Sequence, residues 1–301
     1  MSKDSFENNG KKIKEIDQEK KNILFGGSFE NNGENIKEIE EEKKGILFGD
    51  SVESISNEKW GVGIKKLLSG QDKNAALSVL FATIVLLLYF YFGIQDFFAK
   101  SFPYVENIDY WKYIYHNFIP LFLFFIMGII FVKFVLKARL KDFGLGLGDR
   151  KAGLKLLIFG APILVLAGLT TVWDSGMNQM YPLAREVIYA PIGFVFLYYI
   201  SYIAYYIGWE FLFRGLLVFS LEKRGPLLAI MVSTMISALI HSSIAGFGKP
   251  FAETASAIIA GIAFGYTAYK TRSVWYSFVM HAIVGFSTDL FISIFTRSGL
   301  I

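Results

Sequence analysis

Seven long stretches without a charged side chain decide what this chain can fold into. They run from Ala75 to Ile94, Asn117 to Val132, Leu156 to Trp173, Val187 to Trp209, Pro226 to Ile240, Thr254 to Tyr269, and Ser273 to Met280, the last continuing past His281. With its flanks, each approaches the roughly 17–25 residues that a helix needs to cross the hydrocarbon core of a bilayer. A soluble domain of 301 residues is rarely 53% hydrophobic with a mean hydropathy of +0.44. The expected fold is therefore all-α, a polytopic transmembrane helical bundle of about seven spans. Residues 75–173 supply its N-terminal helices and residues 187–296 its C-terminal core. Residues 187–222 are long for one crossing, so that helix is expected to tilt strongly or break near Gly208.

Charge distribution gives the expected orientation. Lys137, Arg139, Lys141, Arg150 and Lys151 lie between spans two and three, Lys223 and Arg224 follow span four, and Lys270 and Arg272 separate spans six and seven. The alternate connections carry only Lys100, Lys112, Arg185 and Lys249. The positive-inside rule then places the N-terminus in the cytoplasm and the C-terminus outside. The formal net charge of +4 is small, and the partner it leaves in view is the lipid bilayer, with no nucleic acid expected. Cysteine is absent, which excludes disulfides, thiolate metal sites and a thiol nucleophile.

Residues 1–74 are polar and charged, so no signal peptide is expected before the first span. The segment "SFENNGKKIKEIDQEKKNILFGG" at 5–27 recurs as "SFENNGENIKEIEEEKKGILFGD" at 28–50. Each copy patterns as a short amphipathic helix, with Ile13, Ile16, Ile23 and Leu24 in the first and Ile36, Ile39, Ile46 and Leu47 in the second. Two copies are too few to bury a solenoid core. A mobile cytosolic tail is the expected state.

The segment "WEFLFRG" at 209–215 places Glu210 and Arg214 inside an apolar run. An ionised group near the bilayer centre costs about 2.5–3.5 kcal/mol on insertion scales, so such groups are either neutralised or used. Their i, i+4 spacing suits an ion pair. At 1.5 Å per residue from the cytoplasmic ends, Glu210, His241 and Asp289 come out at roughly 21, 23 and 24 Å, with Arg214 and His281 at roughly 15 and 12 Å. The stripe His281, Gly285, Asp289 repeats every four residues on the last helix. A Glu, two His and an Asp at such depths supply either a metal site, for which zinc is suited, or a carboxylate base with an oxyanion partner. Both chemistries are hydrolytic. His116, beside "YWKYIY", reads instead as an interfacial residue among belt aromatics.

The ordered motifs "WEFLFRG", "SALIHSS", "GKPFAETASAIIAGIAFGY" and "KTRSVWYSFVMHAIVGFSTD", over about residues 187–296, resemble the CAAX prenyl protease and bacteriocin-processing family of intramembrane proteases. The resemblance implies an all-helical membrane protein with a cavity between helices, acting on a peptide or membrane-protein substrate, and a place in a bacterial cell membrane. It matches Glu210 to the second glutamate of a Glu-Glu-x-x-x-Arg helix, Arg214 to its arginine, and His241 and His281 to two histidines. Trp209 stands where the family has its first, water-activating glutamate, and Gly285 where it has an oxyanion-stabilising asparagine.

The resulting assignment makes Glu210 the general base or a metal ligand. His241 and His281 become metal ligands or oxyanion donors, and Arg214 organises Glu210. Two carboxylates are candidate replacements: Asp289, one turn beyond Gly285, and Glu253, which otherwise reads as an acidic residue favouring the first turn of its helix. Two other readings fit the same residues. One is a membrane-binding protein that does not cut its partners, suggested by Trp209 and Gly285; the other is a transporter or proton relay.

Overall fold

The computed structural model describes residues 14–18, 39–40, 42, 73–242 and 248–301. The chain divides into two compact units, Met1–Lys73 and Asn74–Ile301. In the first, residues 14–18, 39–40 and 42 are helical. Ile16 and Ile39, equivalent positions of the two repeat copies, are both buried. The other apolar positions named for the repeat lie outside the described residues.

The second unit is built of helices alone among the described residues. Six are long and apolar enough to cross a membrane: α1 (Lys73–Gly93), α3 (Ile108–Val135), α4 (Arg150–Trp173), α6 (Ile192–Arg224), α8 (Phe251–Thr271) and α9 (Val274–Arg297). A shorter apolar helix, α7 (Pro226–His241), lies where the fifth of the seven spans is expected. Two short helices, α2 (Gln95–Ser101) and α5 (Ser175–Met180), lie in the connections. The protein is an integral membrane helical bundle.

Local sequence explains where the helices begin. Asp149, Asp174 and Ser273 sit just before α4, α5 and α9, and each side-chain oxygen accepts from a backbone N–H of the first turn. Such caps satisfy donors that the helix itself cannot. Pro226 opens α7 at a position where its missing N–H costs nothing. Helix α4 turns Leu154, Ile158, Phe159, Ile163 and Leu166 outward, an apolar face suited to lipid.

Helix α6 is the centre of the bundle. Trp209, Phe211, Leu212, Phe213, Leu216 and Leu217 are buried with Tyr89 of α1 and Phe124, Phe131 and Val132 of α3. Of the expected tilt or break near Gly208, no break falls at Gly208 itself. Gly208 continues the helix and lets the backbones of α6 and α3 touch, since a Cβ there would run into the Pro120 carbonyl. Close approach through small residues is how membrane helices gain packing when the hydrophobic effect between them is weak. The irregularity falls just afterwards, as a π-helical turn over Phe211–Leu217. Turns of this kind recur at functional sites.

The two ends of the bundle differ. At one end, the connection after α3 is tied to the α8–α9 turn: Asp149 N–H donates to the Thr271 carbonyl at 2.7 Å and Val274 N–H to the Gly144 carbonyl at 3.0 Å. The Arg272 guanidinium pairs there with the Glu222 carboxylate. The opposite end holds α2, α5 and the residues that lead into α8. The basic connections identified in the sequence all belong to the first end.

Candidate active site

Glu210 ends the regular part of α6 and is completely buried. Its Oε1 accepts from His281 Nδ1 of α9 at 2.8 Å. Arg214 Nε stands 3.6 Å from Oε2, an ion pair too long to be a hydrogen bond. The π turn that starts at Phe211 explains the looseness, because it rotates Arg214 away from regular i, i+4 stacking. Glu210 Oε2 and Arg214 Nε and Nη1 have no hydrogen-bond partner among the described residues. The pair is held together by charge in a buried interior, with the Arg214 guanidinium 5.8 and 5.9 Å from the centroids of the Phe213 and Phe264 rings.

The two histidines have defined roles for one nitrogen each. His281 Nδ1 faces the Glu210 carboxylate, and His241 Nδ1 lies 2.7 Å from the Ser237 carbonyl. A carboxylate or carbonyl oxygen can only accept, so each Nδ1 carries a proton. Nε2 of both rings is thereby left for other chemistry. Trp209 packs edge-on against His241 with centroids 5.7 Å apart.

A cavity of about 180 Å³ opens between the helices. At about 30 Å³ per water it has room for a small cluster of water molecules. His241, Glu253 and His281 line it from α7, α8 and α9, and Tyr206 does so from α6. Further wall comes from Gln95, Tyr113, His116 and Asn117 at the α2–α3 side, and from Tyr181 and Lys249 in the connections. These residues place the cavity toward the end of the bundle opposite the basic connections.

Glu253 lies in the first turn of α8, where a carboxylate favours the helix dipole, and it also faces the cavity. Its Oε1 accepts from the Tyr181 hydroxyl at 2.8 Å and pairs with Lys249 Nζ at 3.3 Å. Lys249 also donates to the Tyr181 hydroxyl. Burial, and then the neighbouring Glu253 charge, push the Tyr181 phenol well above its ordinary range, so it remains a donor. Glu253 Oε2 is buried and without a hydrogen-bond partner among the described residues. One carboxylate oxygen is anchored and the other is uncommitted.

Several sequence expectations are corrected by this geometry. Glu210 does not reach the cavity but packs behind His281. The depth layers also regroup, since Glu210 bonds directly to His281. Asp289 is fully buried and accepts from the Tyr198 hydroxyl at 3.0 Å, away from the cavity lining. His116 is not interfacial: it is buried, lies 3.1 Å from the Tyr89 hydroxyl and lines the cavity. Among the described residues no three His, Asp or Glu side chains group as a metal site. Glu210, His241 and His281 are not drawn together as one such group: Glu210 meets His281 through Oε1, while His241 Nδ1 is held by the Ser237 carbonyl.

Residues 191–287 match the Rce1-like family, described as type II CAAX prenyl endopeptidase. That match supports the CAAX prenyl protease and bacteriocin-processing family that the motifs resemble. The matched segment contains α6, α7, α8 and most of α9, and with them Glu210, Arg214, His241, Glu253 and His281. The family supports a CAAX-type intramembrane endopeptidase in general, acting on peptide or membrane-protein substrates within the bilayer. Comparison with curated proteins and with solved structures gave no match. The cavity wall from Gln95 to Asn117 lies outside the matched segment, as does Asp289.

Proposed function

We propose that this chain hydrolyses a peptide bond of a peptide or membrane-protein substrate, using water activated by Glu253 together with His241. The observation that carries this reading is the meeting of Glu253, His241 and His281, from three helices, in one buried polar cavity. Glu253 supplies the cavity carboxylate that Trp209 cannot. Tyr181 and Lys249 hold its Oε1, which leaves Oε2 to take a proton from water.

In the reaction the water oxygen bonds to the scissile carbonyl carbon as its proton passes to Glu253. The carbonyl π pair moves onto oxygen. His281 polarises that oxygen: with Nδ1–H held by Glu210, its imidazolium form has Nε2–H left to donate. Collapse of the tetrahedral species re-forms C=O and breaks C–N, and the proton held by Glu253 goes to the leaving amine. Glu210 and Arg214 do not touch the substrate here. They hold His281.

The test is cleavage in isotopic water. The full chain, reconstituted in liposomes, is incubated with a peptide library that includes prenylated C-terminal peptides. In ¹⁸O-water, mass spectrometry is expected to find a new C-terminus carrying one ¹⁸O. A library left intact would contradict the reading and favour a cavity that binds without cutting, the alternative that Trp209 suggests.

The unequal charge of the two ends of the bundle supports an orientation. With the basic connections in the cytoplasm of a bacterial cell, the cavity opens toward the outer face. Reporter fusions are expected to place residue 224 inside and residue 178 outside. A cytoplasmic signal at 178 would reverse the side from which substrate enters.

A further inference from the structure

We infer that the Tyr206 hydroxyl is a second donor to the scissile carbonyl oxygen, standing in the space that a side chain at position 285 would occupy; this rests on the hydrolytic reading above. Gly285 lies one turn beyond His281 on α9. A Cβ at Gly285 would collide with the Tyr206 hydroxyl oxygen and lie 2.9 Å from its Cζ. The missing side chain and the phenol therefore share one place. The glycine is what admits the hydroxyl.

Three further observations give that hydroxyl a chemical task. Tyr206 is one turn before Glu210 on α6, and its ring packs against the His281 ring with centroids 4.4 Å apart. It lines the same cavity as His241, Glu253 and His281. Other buried phenols of the bundle have partners: Tyr181 and Tyr198 donate to Glu253 and Asp289, Tyr110 donates to the Phe194 carbonyl, and Tyr89 meets His116. Tyr206 makes no such hydrogen bond among the described residues, so its O–H is uncommitted.

A phenol O–H donates to a carbonyl oxygen and donates more strongly once that oxygen carries charge. No proton needs to leave Tyr206. The donor favours the tetrahedral species over bound substrate, so its loss appears in kcat rather than in KM.

The experiment compares wild type, Tyr206→Phe, Gly285→Ala and the double variant in liposomes, with the library peptide that wild type cleaves. Tyr206→Phe keeps the ring and is expected to melt as wild type does while kcat falls about 10²–10³-fold at little-changed KM. Gly285→Ala should displace the hydroxyl and lose kcat comparably. In the double variant the two losses should not add, because both remove one donor. Wild-type kcat in Tyr206→Phe, or fully additive losses, would overturn the inference and leave the role of Glu253 standing. If Tyr206→Phe also lowers the melting temperature, the additivity of the cycle still decides. Wild-type protein that cleaves no peptide would remove the hydrolytic reading and this inference together.

Discussion

Arg214→Ala is expected to destabilise the membrane domain by about 3–5 kcal/mol, the usual cost of stranding one partner of a buried ion pair. Both members are almost wholly buried, at 1% and 3% side-chain exposure, so water cannot replace what is removed. Without the guanidinium, the Glu210 carboxylate keeps one hydrogen bond, from His281, and loses the nearby charge that offsets its desolvation. Activity should fall with stability, because the carboxylate that holds His281 is then no longer steadied by Arg214. Removing both charges, as in Glu210→Gln with Arg214→Met, is expected to be gentler on stability than Arg214→Ala alone. Thermal melting in detergent measures both variants. An unchanged melting temperature in Arg214→Ala would mean that the loose 3.6 Å contact carries no stabilisation.

The bundle was legible in the sequence because long uncharged runs admit few alternatives. Glu210, Arg214, His241 and His281 were legible for a related reason: ionisable groups inside such runs are few. Their grouping was not. Depth counted along straight helices from Arg224 put Glu210 well above His281, yet the two are hydrogen-bonded. The π turn at Phe211–Leu217 and the terminal 3₁₀ turn at Glu222–Arg224 both break the even rise that the count assumed.

Asp289 illustrates a second limit of periodicity. Eight residues of α-helix turn through two circuits and roughly 80° more, so a stripe that holds from His281 to Gly285 has drifted by Asp289. That drift takes its carboxylate to Tyr198 instead of the cavity. Glu253 was visible as a spare carboxylate. Its partners Tyr181 and Lys249 come from connections whose sequence carries no periodic signal. Tyr206 was hidden among 16 tyrosines; the only trace of it was the glycine opposite, at position 285.

The second large effect concerns Glu253. In this account it is the group that takes the proton from water, and Glu253→Gln keeps its shape and its bond from Tyr181 while removing the base. General-base assistance is worth about 10²–10⁴ in rate, so turnover should fall by that factor with folding intact. His241→Ala should fall similarly. The double variant should be no worse than the weaker single, since members of one catalytic unit are far from additive. Asp289→Asn is the control, and it should cleave at close to the wild-type rate.

Single-turnover cleavage by Glu253→Gln protein in liposomes, set against wild type on one library peptide, is the most direct test that this cavity performs hydrolysis. The expected result is a loss of at least about 10²-fold in a protein that melts as wild type does. Wild-type turnover in Glu253→Gln would contradict the account, because the one carboxylate facing the cavity from α8 would then have no part in the reaction.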